Sequence, residues 1–160
     1  MRAVILSDSH GDTASCERAI QSAGEIDLIL HLGDIIRDAN YLESRYYPIP
    51  VKSVAGNNDF FHTGDYERVI EFDGHRIFMC HGHTLGINRG HERLISAAMR
   101  NNCSVALYGH THRAFYEKNE NGILVVNPGS CHSPRGGSPS FAVLETTGRE
   151  IDAVIVDWVL

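Results

Sequence analysis

The sequence lacks several features that would assign a protein to a familiar class. None of its four cysteines forms a Cys-x-x-Cys pair, so we expect no zinc–thiolate site or redox motif, and predict four reduced thiols, some of them in the core. No apolar run is long enough to span a bilayer. Because Met1-Arg2 leads directly into a predicted strand, we also expect no signal peptide and a cytoplasmic location.

Positive charge is scarce as well. The formal net charge is −6, whereas proteins that bind duplex nucleic acid without sequence preference gain most of their affinity from cations on phosphates. We therefore expect no stable binding to nucleic acid and no membrane partner. A small phosphate ester held by metal ions is compatible with this charge.

Two common catalytic signatures are also missing. There is no Gly-x-Ser-x-Gly turn to expose a serine nucleophile, and no cysteine lies in an obvious triad. A Gly-x-x-x-x-Gly-Lys loop, which cradles phosphates with backbone amides, is absent too. Any hydrolytic chemistry must therefore use something other than a protein nucleophile.

The composition that is present is that of an ordinary globular domain. The chain has 160 residues, of which 42% are hydrophobic and 21% charged, and we predict a single domain over residues 1–160. The first third predicts strand–helix–strand units, with parallel strands and right-handed crossovers. Its predicted elements are a strand at 2–7, a helix capped by Asp12 or Thr13 and stopped by Gly24, a strand at 28–32, a short helix at 38–47 and a strand at 51–55.

The later part of the chain favours hairpins. Asp73-Gly74 predicts a two-residue turn between strands, and Asn121-Gly122 and Thr147-Gly148 predict two more hairpins. A helix is expected near 89–101, followed by a strand at 105–108. The predicted buried side of this helix consists of Leu94, Ile95, Ala98 and Met99. Two sheets packed together and covered by helices fit this order better than one open sheet.

Five predicted strands share one feature: each ends in side chains that bind metal ions. These ends are Asp8-x-His10, Gly33-Asp34, Gly56-Asn57, His81-Gly-His83 and Gly109-His110-x-His112. Each alone would more often be a turn or a helix cap. Ligands of α/β sheets bind in the crevice outside the carboxyl ends of the strands, so five such ends together predict one polar site.

The number of candidate ligands points to two metal ions. Seven of the eight Asp, Asn and His side chains in these motifs are candidate ligands, which is more than one tetrahedral ion can use. Two divalent ions about 3.5–4 Å apart, bridged by a carboxylate, lower the pKa of a bridging water and clamp the oxygens of a phosphoryl group. We expect manganese, with nickel, iron and zinc as alternatives, because all four accept this mixed ligand set.

In order, these motifs resemble those of the calcineurin-like metallophosphoesterases, and the resemblance runs from residue 3 to about residue 135. It is strongest to the small prokaryotic YfcE-type phosphodiesterases, which share the Gly-Asn-x-Asp third motif and a late Asn-Pro-Gly-Ser, here residues 127–130. The resemblance implies an α/β fold, a four-layer αββα sandwich of two mixed β-sheets flanked by helices. It also implies a divalent-metal-dependent phosphodiesterase that hydrolyses small phosphate diesters by attack of a metal-bridging hydroxide.

The resemblance also implies roles for individual residues. One metal ion is expected to be bound by Asp8, His10 and His112, the other by Asn57, His81 and His110, with Asp34 as the bridge. Asn57 and His83 are the expected catalytic and substrate-binding residues, within reach of the phosphate.

The chain departs from many larger relatives at Asn58, where they carry a histidine thought to protonate the leaving group. A carboxamide cannot supply that proton at neutral pH. Either His83 or a metal-bound water takes the role, or the enzyme works mainly on good leaving groups, which we favour.

Several other polar residues are interpreted as structural. We expect His31 in the core, Asp59 as an acceptor that orients a loop, and Arg135 on the surface. The histidines without ligand spacing are expected to be solvated; they are His62, His75, His91 and His132.

Two alternatives to a general phosphodiesterase stay open. One is a nucleotide-specific hydrolase of the same superfamily, which only the shape of the pocket would distinguish. The other is a catalytically weak interaction scaffold with this fold, like a trafficking-coat subunit of the superfamily. A homodimer or homotetramer is also expected from the resemblance.

Overall fold

The computed structural model describes residues 1–60 and 64–158, which form two five-stranded β-sheets with α-helices on their outer faces. The strands are β1 Arg2–Leu6, β2 Leu28–His31, β3 Val51–Ser53, β4 Glu67–Phe72, β5 His75–Cys80, β6 Val105–Leu107, β7 Ala114–Lys118, β8 Leu124–Pro128, β9 Ser140–Thr147 and β10 Glu150–Asp157. The helices are α1 Thr13–Ala23, α2 Ile36–Arg45 and α3 Glu92–Arg100, with 3-10 turns at His83–Leu85 and Ile87–Arg89.

Each sheet contains three adjacent parallel strands. The first sheet has the order β10-β9-β1-β2-β3, in which β1, β2 and β3 are parallel and β9 pairs antiparallel with β1. The second has the order β4-β5-β6-β8-β7, in which β5, β6 and β8 are parallel. The first sheet therefore combines the first three strands of the chain with the last two, while the second uses a continuous stretch.

Three apolar clusters separate the layers. The inner faces of the two sheets pack on each other through side chains such as Ile5, Leu30 and Leu107. Helices α1 and α2 cover the outer face of the first sheet, and α3 covers the outer face of the second. This arrangement confirms the predicted four-layer αββα sandwich.

The helix boundaries follow local sequence signals. Asp12 caps α1 by accepting a hydrogen bond from the backbone N–H of Ser15 at 3.1 Å, and Gly24 ends the helix with φ of 76°. Helix α2 begins at Ile36, two residues before its predicted start, and has no cap from its own N-cap side chain. A carboxylate distant in sequence replaces that cap, since Asp59 Oδ1 accepts from the N–H of Ile36 at 2.8 Å.

The predicted buried face of α3 was partly wrong. Leu94 and Ala98 are buried as expected, but Met99 is 51% exposed and Ala97 takes its place in the core. The spacing 94, 97, 98 is the i, i+3, i+4 pattern of a helix that packs on one side, and Met99 lies outside that stripe.

The hairpins are confirmed, with small differences in two of the loops. Phe72 pairs with His75 around the two-residue turn Asp73-Gly74. Lys118 pairs with Leu124, so Asn121-Gly122 lies within a loop of residues 119–123. The side chain of Asn119 accepts two backbone hydrogen bonds inside this loop and holds it closed. Thr147 pairs with Glu150, so the third turn consists of Gly148 and Arg149.

The four cysteines are buried and free, as predicted. In the described ranges 1–60 and 64–158, no helix has the length and apolar character needed to cross a membrane.

Candidate metal centre

The residues that follow β1, β2, β3, β5 and β6 converge at one end of the two sheets. Each of these parallel strands ends there, so the loops from the first sheet face the loops from the second. The structure brings all seven predicted metal ligands to this place; they are Asp8, His10, Asp34, Asn57, His81, His110 and His112.

One group of ligand atoms surrounds Asp8. Its Oδ1 lies 3.3 Å from Nε2 of His112, and that nitrogen lies 3.1 Å from Nε2 of His10. Nδ1 of His10 is 3.0 Å from Oδ2 of Asp34. The nearest ligand atoms of Asp8, His10 and His112 lie within 4.8 Å of one another, which is close enough for one ion to contact all three.

A second group surrounds His81. Its Nε2 is 2.9 Å from Oδ1 of Asn57, and the same oxygen is 3.0 Å from Nδ1 of His110. Asp8, Asp34 and His81 also offer ligand atoms within 4.8 Å of one another. The two carboxylates therefore join the two groups.

Backbone hydrogen bonds fix the orientation of two of these imidazoles. Nδ1 of His81 donates to the carbonyl of Leu32 at 2.8 Å, and Nδ1 of His112 donates to the carbonyl of Ser133. In the neutral imidazole, Nε2 then carries a lone pair. Each Nε2 faces another acceptor oxygen, namely Asn57 Oδ1 or Asp8 Oδ1, and such a pair attracts only when a proton or a cation lies between the two atoms.

The two carboxylates are almost fully enclosed. Asp8 is 0% exposed and Asp34 is 2% exposed, and Asp8 Oδ1 and Asp34 Oδ2 accept no hydrogen bond of good geometry from the described residues. A buried carboxylate oxygen without a partner is costly. A divalent cation compensates such a cost, so the donor set and these unpaired oxygens fit metal ions.

Neighbouring imidazoles adjust the ionisation of the site. Burial raises the pKa of Asp8, but contacts with His112, His81 and Ser7 outweigh it and lower the pKa below its usual value. The contact with Asp8 in turn raises the pKa of His112, against the effect of burial. Burial, together with the neighbouring His81, lowers the pKa of His110 and so favours the neutral form that binds metal ions.

The backbone of the site is strained. Five of the predicted ligands adopt the left-handed region with positive φ, namely Asp8 at 54°, His10 at 50°, Asp34 at 89°, His110 at 67° and His112 at 57°. Residues other than glycine rarely take this backbone conformation, which costs on the order of 1–3 kcal/mol at each position. Such clusters persist where the surrounding structure forces them and are typical of functional sites.

Two motif glycines are required by close packing. A Cβ atom at Gly56 would lie 2.3 Å from the backbone nitrogen of Asp34, and a Cβ at Gly109 would lie 1.9 Å from Oγ of Ser7. The loops carrying Asp34 and Asn57 therefore approach each other too closely for any side chain at residue 56. These two close approaches explain why glycine precedes a ligand in both motifs.

His83, the remaining predicted site residue, lies beside His81 and His110, and Asn58 and Asp59 contact the loops that carry ligands. The ring of His83 is 5.5 Å from that of His81 and 6.1 Å from that of His110, and burial lowers its pKa. Asn58 Nδ2 donates to Asp34 Oδ1 at 2.6 Å, so this residue orients a predicted ligand. Asp59 accepts from the N–H of Gly56 at 2.8 Å as well as from Ile36, which confirms its interpretation as a loop acceptor.

Sequence reasoning missed several residues that hold the ligands. Ser7 Oγ donates to Asp8 Oδ2 at 2.7 Å, and Ser130 Oγ donates to the carbonyl of Asp8 at 2.7 Å. Asn127 donates to the carbonyl of Gly109 and to Oγ1 of Thr111. The Asn-Pro-Gly-Ser stretch at 127–130 was the available signal, although it indicated no role by itself.

The other histidines lie in different environments. His31 is fully buried, as predicted, and its Nε2 lies 3.0 Å from Ser9 Oγ, beneath the loop that carries Asp8 and His10. His91 was expected to be solvated, but it is half-buried because its Nε2 bonds the hydroxyl of Tyr108 at 2.8 Å and its ring packs on Phe115. His132 is exposed and pairs with Asp12, and His62 lies outside the described residues.

Comparison with known proteins places this arrangement among phosphoesterases. A family profile described as the calcineurin-like phosphoesterase superfamily domain matches residues 1–149. A probable metallophosphoesterase of Methanothermobacter thermautotrophicus is 33% identical over 159 residues, covering 95% of this chain and 90% of that protein. Phosphodiesterase YfcE of Escherichia coli is 29% identical over 171 residues, covering 91% of this chain and 88% of that protein.

Solved structures agree. A conserved protein of Streptococcus pneumoniae described as a predicted phosphoesterase has a TM-score of 0.82 and 28% identity, covering 98% of this chain and 88% of that one. Vps29 of Entamoeba histolytica complexed with zinc has a TM-score of 0.76 and 20% identity, covering 98% of this chain and 99% of that one. The second likeness concerns the fold alone.

Proposed function

Because the chain belongs to the calcineurin-like phosphoesterase superfamily, we propose that its strand-end site holds two divalent metal ions and hydrolyses small phosphate diesters. The superfamily and the named phosphodiesterases among its relatives make it a metal-dependent phosphodiester hydrolase of the YfcE type. The number of ions, the role of each residue and the substrate are the parts that we propose here.

The proposal rests above all on acceptor atoms that face one another. Asp8, His10 and His112 would hold one ion, and Asn57, His81 and His110 the other, with Asp34 between them. Two imidazole nitrogens with lone pairs point at carboxylate or carboxamide oxygens, and two buried carboxylate oxygens accept no hydrogen bond of good geometry from the described residues. A cation at each group would satisfy all of these atoms.

When bound, the two ions would supply a hydroxide near neutral pH and neutralise charge on the phosphoryl oxygens. The chain's own residues would then orient the reaction. His83, next to His81 and His110, would contact the phosphate, as would the carboxamide of Asn57, which also carries a ligand oxygen. Asn58 would keep Asp34 in its bridging orientation through its 2.6 Å hydrogen bond.

The position of Asn58 favours substrates with good leaving groups. Its amide is committed to Asp34 and cannot protonate a departing alkoxide. We therefore propose that activated diesters react much faster than monoesters or unactivated diesters.

We propose manganese as the native metal, with nickel, iron and zinc as competitors. The donor set accepts all four metals, so availability decides among them. The cytoplasmic location and the homodimer or homotetramer stay predictions from the sequence.

Hydrolysis of bis-p-nitrophenyl phosphate, measured beside p-nitrophenyl phosphate, tests the proposal. Metal-stripped protein would receive manganese, nickel, zinc or magnesium, with Asp34→Asn and His81→Ala as site variants. Asp152→Asn is the matched control, since this exposed carboxylate at the far end of the sheets bonds Tyr116. We expect diester turnover that returns with metal, exceeds monoester turnover, survives in the control and is lost in both site variants.

An interaction scaffold is the alternative, and the fold likeness to Vps29 is the reason to test it. Two metal ions per chain without turnover of any diester would favour the scaffold. Protein that binds no metal at all would contradict both the proposed site and the proposed reaction.

A further inference from the structure

A cleft of about 440 Å³ opens beside the metal centre, next to the loop that carries His110 and His112. Thr111, which lies between these two histidines, forms part of its wall. Arg135 forms another part, and its backbone N–H donates to the carbonyl of His112 at 3.0 Å. The cleft therefore adjoins the loop that carries two of the predicted metal ligands.

One wall of the cleft is formed by the rings of His91 and Phe115, whose planes are inclined by 42°. His91 and Phe115 lie with ring centroids 4.4 Å apart, and the hydroxyl of Tyr108 bonds Nε2 of His91 at 2.8 Å. Tyr108 is buried at 3% exposure and supports the other two rings from behind. A rigid aromatic wall of this kind suits a flat organic ring, which gains both apolar contact and favourable ring stacking.

Two arginine side chains give the cleft positive charge. Arg113 and Arg135 both line the cleft and are exposed, and neither pairs with a carboxylate in residues 1–60 and 64–158. Among the residues that the structure describes, no acidic side chain lines the cleft, in a protein whose net charge is −6. Guanidinium groups placed in this way bind phosphate oxygens.

We infer that this cleft binds the organic group of the diester, and that this group is a planar ring carrying a second phosphate, as in a phosphorylated nucleoside. The inference deepens the proposed function and depends on it. In the reaction, water oxygen bonds to the diester phosphorus, the bond to the leaving oxygen breaks, and the proton released from water ends on the leaving group. The ring lies against His91 and Phe115, while Arg113 and Arg135 hold the second phosphate, which does not react.

Three p-nitrophenyl diesters separate the contributions of the ring and of the second phosphate. They are methyl p-nitrophenyl phosphate, thymidine 5′-(p-nitrophenyl phosphate) and the same nucleoside ester with a phosphate on its 3′ oxygen. With the manganese-loaded enzyme we expect kcat/KM to rise at each step of this series. The addition of the 3′-phosphate should act mainly by lowering KM, because this phosphate contacts the arginines in the ground state and in the transition state alike.

Variants test which side chains produce each of the two increases in kcat/KM. Arg113→Ala and Arg135→Ala should each reduce the preference for the 3′-phosphorylated ester by about tenfold, the usual effect of losing a hydrogen bond to a charged group. Phe115→Leu should reduce the preference for the nucleoside over the methyl ester and leave the effect of the second phosphate in place. Arg149→Ala is the control, because this exposed arginine lies in the turn before β10, at the far end of the sheets. It should change neither ratio.

Binding provides a readout without turnover. Calorimetry of thymidine 3′,5′-bisphosphate with metal-free protein should show weaker binding in Arg113→Ala and Arg135→Ala than in the wild type. Equal kcat/KM for the two nucleoside esters, or a preference that persists in both arginine variants, would overturn the inference. Absence of metal-dependent turnover of the methyl ester would instead contradict the proposed function, and the binding measurement would still decide the role of the cleft.

Discussion

The two ends of the β-sheets treat charge in opposite ways. At the carboxyl ends of the parallel strands, Asp8 and Asp34 are buried with unpaired oxygens. At the amino ends, charges are exposed and paired. Arg2 Nε contacts Glu145 Oε1 at 2.7 Å, and the N–H of Arg2 donates to Asp27 at 2.7 Å. One end is arranged for stability, and the other gives up stability to keep ligand atoms free.

The backbone follows the same division. Left-handed non-glycine residues at the far end, such as Asp73 with φ of 49°, belong to tight turns where this conformation is ordinary. At the metal centre the same conformation occurs at five predicted ligands, outside any hairpin turn. The comparison therefore predicts that substitutions at the two ends will separate activity from stability.

The largest effect is expected from Asp34→Asn. Removal of this charge should reduce diester turnover by more than about 100-fold, which is the upper range for residues that only support metal ligands. The unfolding free energy of the metal-free protein should stay the same or increase, because the variant removes an unpaired buried carboxylate. Turnover and urea denaturation of one preparation measure both quantities, and a large loss of stability would contradict the comparison.

The second largest effect is expected from removal of the metal ions. An ion present at about 100 times its dissociation constant stabilises the folded state by about 2.7 kcal/mol. For a chain of this length, that corresponds to a rise in melting temperature of roughly 5–11 °C. Melting with and without manganese measures the shift, and Asp34→Asn should lose most of it. A shift of the same size in His81→Ala and Asp34→Asn as in the wild type would mean that the ions bind elsewhere.

Asp59→Ala tests a residue that acts on both properties. It accepts from the N–H groups of Gly56 and Ile36, so its loss should cost about 1–3 kcal/mol of unfolding free energy. Because these bonds position the loop of Asn57, activity should fall roughly 10–100-fold. Asp27→Ala is the matched control at the far end, where one backbone bond is lost; it should reduce stability only.

The smallest effect is expected from Arg2→Ala. Its ion pair with Glu145 is exposed, and such pairs contribute up to about 1 kcal/mol. Activity should be unchanged, and the small loss of stability should shrink further at high salt. A loss of turnover in this variant would show that the two ends are not independent.

Much of the architecture could be predicted from sequence because its signals are local. The Asp12 cap, the Gly24 stop and the Asp73-Gly74 turn each depend on a few neighbouring residues. The ligand motifs were recognisable because each follows a buried strand. The start of α2 was misplaced because its cap comes from Asp59, 23 residues away from Ile36.

The features that sequence reasoning missed are those made by distant segments. Ser130 reaches Asp8 across 122 positions of the chain, and no local pattern indicates that contact. Arg135 was interpreted as a surface residue, and it is exposed, but only the fold shows that it lies beside His112. The face of α3 was wrong at Met99 because hydrophobicity alone does not distinguish neighbouring stripes of a helix.

The position of β1 has a consequence for how the protein is made. The strand lies between β2 and β9, so the segment that carries Asp8 and His10 is synthesised well before residues 140–147, with which β1 pairs on one side. The second sheet, at 67–128, can form from neighbouring strands while the chain is still growing. We therefore expect the first ligands to be synthesised to be among the last to reach their final places, so that metal capture follows synthesis of the final hairpin.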